Sequence, residues 1–216
     1  MLINIHTHHL DDVNNISIYN QYPWEFVNND SYYSIGIHPI FIDKSNPEKD
    51  LETIKLHIQN KKCLAIGEIG LDKLCEIDFD LQIDIFKKQL EIAELNKIPV
   101  IIHCVRSYQE ILQIRKSMKL SIPFIFHGFN KNKNLLQQVI SNNSIPSFGK
   151  NLLYNTNLQS IFADLSEDNF FLENDNDEIP ILEIYQKAAE IRGTTVEAIE
   201  KIVQHNFNTI FNYNFE

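Results

Sequence analysis

Cysteine is scarce and scattered in this 216-residue chain. Cys63, Cys75 and Cys104 form no CxxC pair, so neither a disulfide framework nor a structural zinc knuckle is indicated. All three read as small buried apolar side chains. Long hydrophobic runs are also missing: stretches such as "IPVIIHCV" are far too short to cross a bilayer, so no membrane partner is expected. The opening "MLINIHTHHLDD" lacks the basic segment of a signal peptide and meets acids at once, which makes the cytoplasm the expected compartment. Basic charge is short as well. Nineteen Lys and Arg stand against 29 Asp and Glu, a formal net charge of −10. A broad cationic face gripping duplex DNA is therefore not expected, because that grip rests on many Lys and Arg contacts to phosphate. The deficit leaves room for a small site where bound cations, not side chains, meet an anionic substrate.

The hydrophobic content of 44% is ordinary for a globular chain, and the length suits one domain over residues 1–216. Eight β-rich runs recur: Leu2–His6, Asn15–Tyr19, Tyr32–Ile37, Leu64–Glu68, Pro99–His103, Pro123–His127, Ile145–Phe148 and Asn169–Glu173. Several are nearly continuous in apolar residues, the pattern of strands covered on both faces. Between them, "DFDLQIDIFKKQLEIAELN" sets Phe79, Phe86, Leu90 and Ala93 on one helical face, and Pro99 closes that helix. Near the end, Ile199, Ile202, Val203 and Ile210 repeat at helical spacing, with Thr194 and Glu197 as a capping box ahead of them. Runs alternating with helices predict an α/β fold, a (β/α)8 TIM barrel. The crossover into the second run is too short for a normal helix. A doubly wound open sheet is the competing arrangement.

The polar residues of interest close these runs. The first ends in "HTHH", where His6 and His8 alternate onto one side of a strand, suited to two-point capture of a metal. The fourth ends in Glu68, inside "AIGEIGLD". A carboxylate on a buried strand is costly unless a cation meets it, so Glu68 either pairs with a buried Arg or Lys or holds a metal. Gly67 and Gly70 beside it mark a close backbone approach. His103 ends the fifth run, His127 the sixth, and Asp175 follows the eighth in "ENDND". In a barrel the C-terminal strand ends share one mouth, where residues distant in sequence can meet. Imidazole nitrogens and carboxylate oxygens suit zinc, manganese or iron, and a carboxylate-rich part would accept magnesium.

The ordered set "INIHTHHL", "SIGIHP", "AIGEIGLD", "IPVIIHCV", "FIFHGF" and "FLEND" resembles the TatD family of metal-dependent hydrolases, in the amidohydrolase-like barrel superfamily. The likeness runs from Asn4 to the "HNFNTIF" tail. It implies a deoxyribonuclease on a TIM barrel with two divalent ions, Mg, Mn or Zn. By motif position, His6 and His8 fall on ligands of one metal and Glu68 on the bridging carboxylate. His103 and His127 fall on ligands of the second, and Asp175 on the acid that contacts metal and attacking water. The implied substrate is DNA, as single strands or ends. Ile40 stands where the family often has a second histidine after "GIHP". Arg106 lies three residues after His103, where the family's arginine lies two after, so it receives no phosphate contact. The family's "ETD" reads Glu173-Asn174-Asp175.

Other polar residues divide less sharply. His38 suits either a role behind the ligands or a structural turn before Pro39. His9 points away from the face of His8. His57 and His205 belong to helices as surface or packing residues, and Lys150 is either a point charge for phosphate or simply solvated. Two rival functions remain at this level: hydrolysis of a carbon–nitrogen or ester bond with the same metals, and a metal-binding regulatory protein without activity. The oligomeric state is not legible.

Overall fold

The structure, a computed structural model, describes residues 1–10, 15–44 and 46–213. Eight strands follow one another in chain order in the sheet: β1 Ile3–Thr7, β2 Ile16–Gln21, β3 Tyr32–Ile35, β4 Cys63–Asp72, β5 Val100–Val105, β6 Phe124–Phe126, β7 Ser144–Phe148 and β8 Phe171–Leu172. The helices are α1 Pro47–His57, α2 Phe79–Asn96, α3 Tyr108–Ser117, α4 Lys133–Ser141, α5 Asn151–Tyr154, α6 Thr156–Ala163, α7 Ile181–Arg192 and α8 Val196–Phe211. From β3 onward strands and helices alternate. Among the described residues no α-helix stands between β1 and β2 or between β2 and β3, where a 3-10 turn at Pro23–Glu25 serves instead. All eight expected runs are strands, in the order of a (β/α)8 barrel. No helix among the described residues is long and apolar enough to cross a membrane. Contacts group the chain into two compact units, Met1–Ile18 with Phe126–Glu216, and Tyr19–Ile125.

In the first unit, Phe148, Phe162 and Phe170 meet edge to face, with ring centroids 5.1 and 4.9 Å apart. Arg192 lays its guanidinium over Phe162 and Phe170, and its Nη2 donates to the carbonyls of Phe162 and Leu165 at 3.3 and 2.6 Å. Helix α8 buries Ile199, Val203 and Phe207. Its cap is Thr195, whose Oγ1 accepts from the Ala198 N–H at 3.2 Å, and not the expected Thr194. Thr194 is already committed: its N–H closes α7 on the Ala189 carbonyl, past Gly193 in the left-handed conformation.

In the second unit, α2 buries Ile85, Phe86, Leu90 and Ala93, as its spacing predicts, while Phe79 stays half-exposed. At the last turn of α2, Glu94 accepts from the Ser121 N–H and hydroxyl at 2.8 and 2.7 Å and from the Ile122 N–H at 3.2 Å, and it pairs with Lys97. Burial pushes this carboxyl up, but the bonds from Lys97 and the 121–122 segment outweigh it and hold the pKa at about 2 instead of 4.5. A depressed acid stabilises the fold above its unfolded pKa and loses that contribution as pH falls through its folded one. With its side chain 24% exposed, the contribution is about 1–2 kcal/mol, below what the shift alone implies, because water weakens these bonds. Glu94→Gln is therefore expected to lower the melting temperature at pH 7, and the gap from the parent should close as pH drops from 4.5 towards 2. A gap that does not change with pH in thermal melts would show that the charge is not what matters.

Candidate metal centre

Strand β4 does not stop at Glu68. It continues to Asp72, and β5 runs past His103 to Val105, so both residues lie inside strands and not at their ends. The glycines explain this. A Cβ on Gly67 would meet Cβ of Ile101 at 2.7 Å, and one on Gly70, at φ +156°, would meet the His103 carbonyl oxygen at 1.9 Å. Only glycine lets the two backbones approach so closely. The pairing register shifts between Ile66 and Ile69, a bulge that re-aims the Glu68 side chain.

Glu68, 3% exposed, then meets imidazoles. Its Oε1 lies 3.1 Å from Nε2 of His38 and 2.8 Å from Nδ1 of His103. The other nitrogen of His103, Nε2, lies 3.0 Å from Oδ2 of Asp72. A neutral imidazole carries one N–H, so it can donate to only one of two carboxylates. His103 between Glu68 and Asp72 thus calls for added positive charge, as a proton or a metal ion. Burial pushes the Asp72 carboxyl up, yet the hydrogen bonds from His103 and from the Leu74 N–H prevail and hold it below the ordinary range. Donor atoms of His38, Glu68 and His103 lie within 4.8 Å of one another, and this nitrogen–oxygen set fits a divalent ion.

The first unit holds a second cluster. Asp175, in the left-handed conformation at φ 52°, docks on β1: its N–H donates to the His6 carbonyl, and the His8 N–H donates to its own carbonyl. Its Oδ1 thereby sits 3.4 Å from Nε2 of His6 and 3.5 Å from Nε2 of His8. The His6 ring lies 5.1 Å from that of His8 and 4.6 Å from that of His127. Donor atoms of His6, His127 and Asp175 fall within the same 4.8 Å limit. A buried amide pair anchors the segment, with Asn4 Nδ2 donating to Asn174 Oδ1 at 2.7 Å and the Asn174 N–H to Asn4 Oδ1 at 3.2 Å. Thus the first unit gathers His6, His8, His127 and Asp175, and the second gathers Glu68 and His103.

Sequence reasoning left His38 open, gave Glu173 only a place in the Glu173-Asn174-Asp175 motif, and passed over Asp72. Glu173 is fully buried; its Oε1 accepts from the Gly128 N–H at 2.6 Å and lies 3.4 Å from Nδ1 of His127, steadying the turn that carries this histidine. Lys150 pairs with Asp177 at 2.6 Å, and His57 packs its ring on Phe26 at 3.7 Å. His205 is exposed. Also passed over were two glutamines of α2, buried on its inner face. Gln82 accepts from the Asp72 N–H at 2.8 Å and donates to the Asp72 carbonyl at 3.0 Å; Gln89 clasps Ile37 in the same way at 2.7 and 3.1 Å. Each amide completes a strand end the way a neighbouring peptide would, one holding Asp72 and the other the residue before His38. Their only signal in the sequence was a seven-residue spacing in phase with the apolar face. Gln82→Leu leaves the buried N–H and C=O of Asp72 without these bonds, a cost of about 1–3 kcal/mol. It is expected to lower the unfolding midpoint and, by loosening the carboxylate on His103, to reduce metal affinity roughly 10–100-fold. Equilibrium unfolding and a metal titration check this; unaltered affinity would detach Gln82 from the centre.

Imidazoles and carboxylates gathered on and beyond the strands of a (β/α)8 fold make the chain a candidate metal-binding barrel. The sequence model described as TatD related DNase matches residues 14–212, and the chain belongs to that family. Among curated proteins it is 26% identical over 202 residues to an uncharacterized metal-dependent hydrolase of Haemophilus influenzae, covering 83% of this chain and 76% of that one. A shorter match, 29% identical over 85 residues, is to the human 3'-5' RNA nuclease TATDN2, spanning 38% of this chain and 11% of that protein. Among solved structures, YjjV, a TatD homologue of Escherichia coli, superposes with TM-score 0.85 at 19% identity, covering 99% and 98% of the two chains, and so shares the fold.

Proposed function

We propose that this family member, a single domain over residues 1–216, hydrolyses phosphodiester bonds in DNA, as single strands or ends, with two divalent ions, in the cytoplasm. The observation that carries the reading is His103 set between Glu68 and Asp72, an arrangement that asks for positive charge. In a (β/α)8 barrel, catalytic groups come from several different strands; here Glu68 and His103 lie within β4 and β5, Asp72 ends β4, and His127 and Asp175 lie beyond β6 and β8. His6 and His8 would hold one ion, His103 and His127 the other, with Glu68 serving both and Asp175 contacting metal and the attacking water. Bound divalent ions supply a water of lowered pKa and neutralise phosphate charge, and their identity among Mg, Mn and Zn is open.

The chain's own groups divide the remaining tasks. Asp175, with its side chain 39% exposed, is the acid in its cluster that water can reach, and a carboxylate oxygen there can accept the proton of an attacking water. Buried Glu68 and Asp72 keep His103 oriented. The net charge of −10 favours a substrate drawn in by bound cations over a long basic groove. RNA is the second reading, favoured by the human relative that carries RNA nuclease in its name. The test is a panel assayed with each metal restored: a short DNA oligonucleotide, the same sequence in RNA, an aminoacyl ester and a cyclic amide. Turnover of the DNA above all others supports the proposal. Turnover of the ester or amide alone transfers the chain to a carbonyl hydrolase, and activity on none points to a regulatory protein.

A further inference from the structure

The loops after β2 and β3 carry three aromatic side chains that the centre does not use. Tyr22 and Trp24 stack nearly parallel, with centroids 5.0 Å apart and planes 10° apart. Phe41 meets both edge-on, at 5.5 Å and 86° to Tyr22 and 6.5 Å and 78° to Trp24. All three are half-buried and present part of their rings to solvent. Phe41 also lies 5.4 Å from the ring of His38, whose Nε2 faces Glu68. The rings are therefore continuous, one to the next, with the carboxylate cluster.

The turn that bears them is held in place. The Gln21 side chain donates to the Val27 carbonyl at 2.9 Å and accepts from the Val27 N–H at 2.8 Å, clasping the segment between them, and Pro23 opens its 3-10 turn. A preformed aromatic surface binds a flat ring without first being ordered. We propose that Tyr22, Trp24 and Phe41 form a base-stacking subsite for the nucleobase next to the scissile phosphodiester; this rests on the nuclease reading above. Stacking is sequence-tolerant because every base has a π face, and it suits a strand unwound from its complement. It also fits the charge: a chain with net charge −10 has few cations to spare for phosphates, so affinity for a single strand must come from elsewhere.

Trp24 is the single tryptophan, so its fluorescence reports on this place alone. The metal-loaded full chain is titrated with a short single-stranded phosphorothioate DNA that resists cleavage, and with a matching strand whose sugars carry no bases. Quenching by the first and not the second is expected. In parallel, Trp24→Leu should raise KM for the cleavable strand roughly tenfold with kcat little changed, and Trp24→Phe should restore most of the loss. Circular dichroism and metal content of both variants should match the parent. Equal quenching by the baseless strand, or an unchanged KM in Trp24→Leu while the parent cleaves DNA, overturns the subsite and leaves the nuclease reading standing. Failure of the parent to cleave any strand overturns both.

Discussion

Glu68→Gln is expected to lower turnover by orders of magnitude and to shed part of the bound metal while the fold survives. The amide keeps the size of the side chain and one oxygen near His38 and His103, so packing around the buried position changes little. What it removes is the negative charge that, on the proposed reading, would stand between two cations. Two divalent ions without a shared anion repel strongly in a site of low dielectric, and the weaker one leaves. Elemental analysis and hydrolysis of a short single-stranded DNA read the two effects on one sample. Full metal content with near-parental turnover would reduce Glu68 to a partner of histidines alone.

The second large effect concerns Asp175 and separates proton transfer from metal assembly. The aspartate is fixed by backbone, through its pairing with Thr7 and its bonds to His6 and His8, so Asp175→Asn should leave the chain path intact. The amide still offers an oxygen to a cation but cannot act as a base near neutral pH. Turnover should therefore fall sharply while most of the metal stays bound. If metal content and thermal stability fell in step with activity, Asp175 would be an assembly ligand above all. Parental cleavage would remove it from the mechanism and shift attention to buried Glu173.

His6, Glu68 and His103 stood out as candidates because each is a polar residue in an apolar strand, where its presence demands a reason. The eight strands were legible for the related reason that buried strands read as apolar runs. Asp72 was not, because "GLDK" looks like the turn after a strand; it took Gly67 and Gly70, packed against β5, to carry β4 four residues beyond Glu68. Gln82 and Gln89 were hidden differently. Glutamine is ordinary on the wet side of a helix, and only tertiary contact reveals that these two turn inward to hold Asp72 and Ile37. The cap of α8 moved by one residue because Thr194 had already been used to end α7. In each case the missing information was which neighbour arrives, and a local pattern does not contain it.

The central claim is a centre of two divalent ions that cleaves nucleic acid, and metal stoichiometry against activity tests it most directly. The purified chain is stripped with chelator, and Mg, Mn or Zn is titrated back while bound metal and hydrolysis of a short single-stranded DNA are followed together. The expected result is no cleavage in the stripped chain, and activity that rises to its plateau only as the second equivalent binds. Full activity in the stripped chain, or a plateau reached at one equivalent with no second ion bound, would contradict it.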